Sequence, residues 1–351
     1  MNASPARVLG WDLLRGLCAL TVALYHLMYW LQIAELPALG TYGVYLFFVL
    51  SGASLAYNYG QERVATLGDM GRFLAVRWLR LAPLYIALCL AYSLVMAVMQ
   101  GRTGFAHLAG PLLLNASFAF GFYNPSQTAL LIGGWSLGIE FVFYLLYPLI
   151  ASVLPYRTLA LALFAVVVGV QWWWIERTIG THGWLPAVTA YHQLPAFGAY
   201  FFGGCLIGWL RRTQTREWTL PRGVLAWCGM AFLLLALMPE KPGDELLGAR
   251  GATLFVACFA VVYASGRVAV KGRLVKFAQW FGDMTYGLYL LHPILLFSIL
   301  WFVLPQAPQM PLSLRWALLA AIVAVSSTAA TLSERYFEKP IRRRFALPLP
   351  R

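Results

Sequence analysis

Three ionisable side chains in the first apolar segment have a spacing that suits proton transfer. Asp12, Arg15 and His26 share one face of a helix, because Arg15 and His26 are eleven residues apart, about three helical turns. Asp12 and Arg15 stand at i and i+3 and can form an ion pair. Histidine removes a hydroxyl proton readily near neutral pH, so we expect His26 to be catalytic, with Asp12 beside it. The alternative for His26 is a buried histidine that is satisfied by a neighbouring hydrogen bond.

A single carboxylate interrupts the fifth apolar segment. Glu140 follows Trp135 and Ser136, and it stands about 15 Å from the outer end of its helix. A carboxylate at that depth must be protonated, paired or in a water-filled cavity. We therefore predict a catalytic Glu140, with a structural ion pair as the alternative.

Two tyrosines and a histidine recur at three-residue spacing in the tenth apolar segment. Tyr286, Tyr289 and His292 follow one another at i, i+3 and i+6, and Pro293 leaves a backbone carbonyl without its helical donor. Side chains of these types can bind a hydroxylated substrate, whereas aromatic packing is the alternative for the tyrosines. For the three remaining histidines we expect solvated positions in connections, although the last of them opens a segment: His107, His182 and His192.

Arginines cluster where the third apolar segment begins. Arg77 and Arg80 lie on nearly one helical face, and Arg72 precedes them. Guanidinium groups form paired hydrogen bonds with phosphate, so this cluster predicts a site for a phosphorylated donor. The alternative is that these side chains anchor the helix at the membrane surface by snorkelling.

The elements that position these residues are membrane helices. Of the 351 residues, 61% are hydrophobic and 11% are charged, and the mean hydropathy is +0.70. Soluble domains carry about 25% charged residues. The five cysteines lie inside apolar runs without metal-type spacing, so we expect no metal site. Eleven apolar segments cover 11–33, 41–59, 73–99, 105–123, 129–154, 158–175, 191–210, 223–239, 250–266, 278–304 and 314–337.

The basic residues predict the topology. The net charge is +13, and 21 of the 26 lysines and arginines fall in one alternating set of connections and tails. This asymmetry follows the positive-inside rule and argues against nucleic acid as a partner. Both termini are then cytoplasmic, which requires an even number of crossings. We expect an all-α polytopic bundle of about ten spanning helices, one domain over 1–351, with 105–123 as a partial or re-entrant helix.

Six strings resemble, in chain order, the acyltransferase-3 family of membrane-bound O-acyltransferases, which includes O-antigen and exopolysaccharide acetylases. They are Trp11-Asp12-Leu13-Leu14-Arg15-Gly16 through His26, Gly43 to Gly52, Arg72 to Tyr85, Trp135-Ser136-Leu137 through Glu140 to Pro148, Tyr286 to His292, and Glu334 to Pro340. Two positions depart from the family pattern. Tyr45 replaces a usually acidic residue, and Thr285 stands where serine is common.

The resemblance implies a bacterial inner-membrane enzyme without a permanently bound cofactor. Its donor substrate would be acyl-CoA, most simply acetyl-CoA, and its acceptor a hydroxyl of a carbohydrate or lipid-linked glycan. His26 would be the base or an acyl carrier, and Asp12 and Arg15 would orient its helix or grip CoA. The same resemblance implies CoA contacts for Arg15, Arg72, Arg77 and Arg80, and acceptor contacts for Trp135, Ser136, Tyr286, Tyr289 and His292. A sugar-lipid transporter and a structural partner protein are the alternative classes.

Overall fold

The computed structural model describes residues 7–99, 105–213, 217, 223, 243–303 and 310–345, and within these ranges the regular elements are helices, with no strand. The first nine are α1 (Leu9–Trp30), α2 (Pro37–Asn58), α3 (Leu67–Met99), α4 (Phe105–Ala116), α5 (Pro125–Thr128), α6 (Gly134–Val153), α7 (Arg157–Ile175), α8 (Trp184–Tyr191) and α9 (Gly198–Thr213). The next five are α10 (Gly248–Ser265), α11 (Arg273–Asp283), α12 (Thr285–Ser298), α13 (Leu312–Ser333) and α14 (Lys339–Arg344).

Seven helices in the described part of the chain are long and apolar enough to cross a membrane, or eight if α11 and α12, bent by 51°, form one span. These eight coincide with eight of the ten predicted spans. The segment 191–210 contains α9, which has only 16 residues. The segment 223–239 lies outside the described residues apart from Gly223. The all-α polytopic class is confirmed, while the count of ten remains a prediction.

Small residues hold the central helices close together. On α9, a Cβ atom at Gly204 or Gly208 would stand 2.1 Å from a backbone carbonyl oxygen of α2, and one at Gly52 of α2 would stand 2.1 Å from a carbonyl oxygen of α9. This spacing of small residues lets two backbones approach closely where lipid offers no hydrophobic drive for association. Helix α1 packs against α2, α11 and α12. Helix α1, which carries Asp12, Arg15 and His26, is therefore in contact with α12, which carries Tyr286, Tyr289 and His292.

The segment predicted not to cross has a short helix and an irregular continuation. Helix α4 has 12 residues, about 18 Å, which is too short to span about 30 Å of hydrocarbon. Fully buried Asn115 fixes the chain that follows. Its Oδ1 accepts hydrogen bonds from the Tyr85 hydroxyl (2.7 Å) and the Leu130 amide (3.0 Å), and its Nδ2 donates to the carbonyls of Pro111 and Thr128 (3.0 Å each). Irregular backbone at depth needs such partners, and these bonds place the start of α6.

Candidate active site

Two cavities of different character meet inside the bundle. The first, called here the arginine cavity, has a volume of about 360 Å³, and Arg7, Arg15, Arg77 and Arg80 are among its lining residues. The second, the histidine cavity, has a volume of about 600 Å³, and it is lined by His26, His192 and several aromatic side chains. Val44 and Tyr289 line both cavities. The chemistry-bearing residues are thus divided between two adjoining spaces.

Asp12 organises one wall of the arginine cavity. Its carboxylate pairs with Arg15 at 3.3 Å, as the i, i+3 spacing predicts, and also with Arg7. Arg7 pairs with Asp283 at 2.8 Å. Although burial opposes the charge of Arg7, its hydrogen bonds to the two aspartates raise the pKa of its guanidinium above the ordinary value. Asp12 is itself buried and lines the arginine cavity, whereas His26 lines the histidine cavity, so the structure does not bring the two predicted catalytic residues together.

Arg77 and Arg80 have no carboxylate within 4 Å among the described residues, in contrast to Arg7 and Arg15. Arg77 donates from Nη2 to the Tyr59 hydroxyl at 2.5 Å, and its guanidinium carbon lies 4.8 Å from the Tyr59 ring centre. The buried Nε atom of Arg77 has no hydrogen-bond partner in the described structure. A buried hydrogen-bond donor without a partner costs free energy. A bound anion that accepts a hydrogen bond from this Nε atom would therefore suit the geometry.

Arg72 is placed differently from the other arginines of its cluster. It is not among the residues that line the arginine cavity. Its side chain is 46% exposed and lies 3.7 Å from the carboxylate of Asp69. The sequence grouped Arg72 with Arg77 and Arg80, but the structure separates it from them.

Glu140 lies in the arginine cavity and not beside His26. Its Oε1 accepts hydrogen bonds from the Ser51 hydroxyl at 2.7 Å and the Tyr144 hydroxyl at 2.5 Å. In the described part of the molecule it forms no salt bridge, so its neighbours are hydroxyl groups instead of the structural ion pair considered above. His26 and Glu140, both predicted to be catalytic, therefore lie in different cavities.

His26 contacts a second histidine, His292, which lies in the tenth apolar segment of the sequence. Its Nδ1 atom lies 2.9 Å from Nε2 of His292, and the two rings are stacked with centroids 5.3 Å apart. Nδ1 of His292 lies 2.9 Å from the carbonyl oxygen of Leu288. A carbonyl only accepts, so this nitrogen carries a proton, and in the neutral ring Nε2 is then an acceptor. His26 must donate from Nδ1, which leaves its Nε2 unprotonated, as a general base requires.

Aromatic side chains surround the open side of His26. Trp135 stacks on His192 with ring centroids 4.0 Å apart, and both line the histidine cavity together with Tyr25 and Trp184. The expectation of a solvated His192 is wrong, because its ring lies against Trp135 and its Nδ1 is buried without a hydrogen-bond partner in the described structure. His182 is exposed, as expected, and the side chain of His107 lies outside the described residues.

The expected acceptor residues are distributed over both cavities. Trp135 lines the histidine cavity, whereas Ser136 and Tyr286 line the arginine cavity. The Tyr286 hydroxyl donates to the carbonyl of Leu81. The Tyr289 hydroxyl donates to the carbonyl of Gly133 at 2.9 Å and lies 2.9 Å from the Ser136 hydroxyl. The two tyrosines therefore hold neighbouring segments in place, beyond simple aromatic packing.

Tyr45 belongs to the core. It is completely buried, its hydroxyl accepts a hydrogen bond from that of Tyr191 at 2.7 Å, and its ring stacks on Tyr200 at 5.0 Å. Tyr45 lines neither cavity. Thr285 keeps a hydroxyl at the position where serine is common, and this hydroxyl donates to the carbonyl of Phe281 at 3.1 Å.

Comparison with known proteins shows that the sequence of this chain is similar to those of acyltransferases. The family described as "Acyltransferase domain" matches residues 8–331. O-acetyltransferase OatA of Staphylococcus aureus is 25% identical over 97% of this chain and 58% of its own length. Acyltransferase MdmB of Streptomyces mycarofaciens is 26% identical over 88% of this chain and 82% of its own length. The chain thus spans little more than half of OatA. No solved structure matches.

Proposed function

The chain belongs to the acyltransferase-3 family, and from this premise we propose that it moves an acyl group, most simply acetyl, from acyl-CoA to a hydroxyl of a carbohydrate or lipid-linked glycan. The observation that carries the proposal is the pair of adjoining cavities. In the part of the chain that the structure describes, one cavity holds two arginines, Arg77 and Arg80, with no carboxylate within 4 Å. The other holds His26, whose Nε2 is unprotonated in the tautomer derived above. Each cavity offers what one of the two substrates needs.

The arginine cavity is the proposed donor site. Phosphate groups of acyl-CoA would bind Arg77 and Arg80, the two arginines of this cavity that have no carboxylate within 4 Å among the described residues. Guanidinium–phosphate bonds are charge-assisted and directional, so they would fix the direction in which the thioester enters. Arg15 would contribute mainly by holding Asp12 and the wall of the cavity. Arg72, which faces away, takes no part in this assignment.

The histidine cavity is the proposed acceptor site. The faces of Trp135, Trp184 and Tyr25 offer apolar surface on which the C–H face of a sugar ring can stack. The hydroxyl group would then point toward Nε2 of His26. The name of the relative OatA, an O-acetyltransferase, supports an oxygen acceptor.

The reaction needs one base and a path for one acyl group. Nε2 of His26 removes the proton of the acceptor hydroxyl as its oxygen attacks the thioester carbonyl carbon. A carbon–oxygen bond forms, the carbon–sulfur bond breaks, and the thiolate leaves as CoA. His26 then returns the proton to the thiolate, so the enzyme ends as it began. His292 accepts the Nδ1 proton of His26, so Nε2 is the nitrogen that takes up the proton and returns it.

The proposed orientation places the arginine cavity toward the cytoplasm, where acyl-CoA is made, and both termini on the same side. The excess of basic residues in one set of connections supports this orientation. Reporter fusions at Gly60 and Gly266 should report a cytoplasmic position, and fusions at Gly183 an external one. An external Gly60 would reverse the assignment of the two substrates to the two cavities.

Purified protein tests the proposal directly. Incubation with acetyl-CoA and a sugar acceptor should release CoA and yield an acetylated sugar, and His26→Ala should slow release by about 10²–10⁴, the range for a general base. Specific activity must be measured per folded molecule, with His182→Ala as the control, because His182 is exposed. A sugar-lipid transporter would release no CoA. Near-normal specific activity in His26→Ala would overturn the assignment of the base.

A further inference from the structure

The two cavities share a boundary formed by two side chains. Val44 on α2 and Tyr289 on α12 are the residues that line both of them. The donor's anion-binding groups lie on one side of these two side chains, and His26 lies on the other. Any acyl group that reaches a hydroxyl beside His26 while its CoA remains with the arginines must therefore lie at this boundary.

Tyr289 is the fixed side of the boundary. Its hydroxyl is held by the Gly133 carbonyl and the Ser136 hydroxyl, each at 2.9 Å, and its ring contacts Phe47 edge-on at 6.0 Å. Gly133 has a φ of +78°, and a Cβ atom there would stand 3.1 Å from the Tyr289 hydroxyl oxygen. A glycine at that position is thus what allows the phenol to approach, and the ring has little freedom to move aside.

Val44 forms the other side of the boundary, where the size of the side chain sets the space that remains. It is 9% exposed, and its side chain is a hydrocarbon without a polar atom that could form a hydrogen bond. Its neighbour Gly43 packs against α1, since a Cβ atom there would stand 2.7 Å from Val22. The backbone of α2 is therefore anchored at this level, and the space between Val44 and Tyr289 depends on the size of the side chain at position 44.

Resting on the proposed function, we propose that Val44 is a specificity-determining residue that sets the longest acyl chain the enzyme transfers. The acyl chain of the donor lies between Val44 and the Tyr289 ring when its carbonyl carbon reaches the acceptor hydroxyl. Close-packed apolar surfaces discriminate by volume, and one methylene in such a pocket is worth about 10–200-fold in specificity. A short acyl group, acetyl above all, fits this boundary best.

Two substitutions at position 44 should move the specificity in opposite directions. Val44→Ala removes two carbon atoms and should raise the kcat/KM ratio of butanoyl-CoA to acetyl-CoA by about tenfold or more. Val44→Ile adds one carbon atom and should lower the same ratio. Opposite shifts from a smaller and a larger residue are not produced by general destabilisation, which lowers the activity with both donors together.

The test uses purified full-length protein with acetyl-, butanoyl- and hexanoyl-CoA, and it measures both CoA release and the dissociation constant of each donor relative to that of free CoA. Val49→Ala is the matched control, because Val49 is a buried valine of α2 that lines neither cavity. The binding measurement needs no acceptor, so it remains informative if the natural acceptor differs from the sugar supplied.

We expect the donor profile of Val49→Ala to match that of the wild type, while Val44→Ala and Val44→Ile shift it in opposite directions. Identical profiles for all four proteins, with intact acyl-CoA binding, would overturn the role of Val44 and leave the proposed function standing. Failure of the wild type to bind any acyl-CoA would overturn the proposed function, and this inference with it.

Discussion

The Nδ1 atom of His26 lies 2.9 Å from the Nε2 atom of His292, although 266 residues separate them in the chain. His292 is buried, and its other nitrogen, Nδ1, donates to the Leu288 carbonyl. This bond fixes the tautomer of His292, and His292 in turn fixes the tautomer of His26. The pair joins α1 to α12 and presents Nε2 of His26 as the free acceptor. In the proposed mechanism, His292 is the group that orients His26 as the base.

His292→Ala should lower turnover while the protein continues to fold and to bind acyl-CoA. Without His292, the Nδ1 proton of His26 loses its acceptor, and the imidazole can adopt the wrong tautomer, a fault that can cost up to about 10⁴ in rate in serine proteases. We expect a loss of at least about tenfold. The double variant His26→Ala/His292→Ala should be no slower than His26→Ala alone, because residues that act as a unit are not additive. Additive losses in single-turnover assays would show that His292 acts independently.

Arg77→Ala and Arg80→Ala should each weaken CoA binding. A hydrogen bond to a charged group contributes about 1.5–3 kcal/mol, which corresponds to about 10–150-fold in the dissociation constant. Calorimetry with free CoA provides the measurement. Arg72→Ala is the control, since Arg72 lies on the same helix but pairs with Asp69 outside the cavity. If all three variants bind CoA equally well, the arginines serve only as membrane anchors.

Glu140→Gln should lower the turnover without weakening the affinity for the CoA donor. The carboxylate accepts hydrogen bonds from Ser51 and Tyr144 inside the arginine cavity, so it orders this wall and offsets its positive charge. Removing the charge leaves the cavity more positive, and the affinity for CoA should be unchanged or higher. The turnover should fall, because the hydroxyl groups lose a charged acceptor. A variant with weaker CoA binding and unchanged kcat would contradict this assignment.

Asn115→Leu should destabilise the protein without a specific effect on catalysis. The substitution leaves the Tyr85 hydroxyl, the Leu130 amide and two carbonyls without their partner. Each buried polar group left unsatisfied costs about 1–3 kcal/mol, so the melting temperature in detergent should fall clearly. Ser117→Ala, at an exposed position in the same region, should melt like the wild type. An unchanged melting temperature for Asn115→Leu would mean that water replaces the lost bonds.

The sequence alone was sufficient for the features that depend on neighbours along the chain. Hydropathy identified the membrane helices, because the length of an apolar run directly meets the thickness of the hydrocarbon. The Asp12–Arg15 ion pair followed from the helical repeat. The proline and asparagine in 105–123 indicated a helix too short to cross, and α4 has 12 residues.

Which helical faces meet was decided only by the tertiary structure. The helical repeat shows that His26 belongs to a polar face, but it cannot show that His292 stands opposite. Likewise, five residues separate Arg72 from Arg77, about 140° around α3, but only the packing shows that Arg77 is the one that lines the cavity while Arg72 lies at Asp69. The physical reason is that helix contacts in a membrane depend on close packing of small residues from distant segments, such as Gly52 with α9, and no local pattern records which segment supplies the partner.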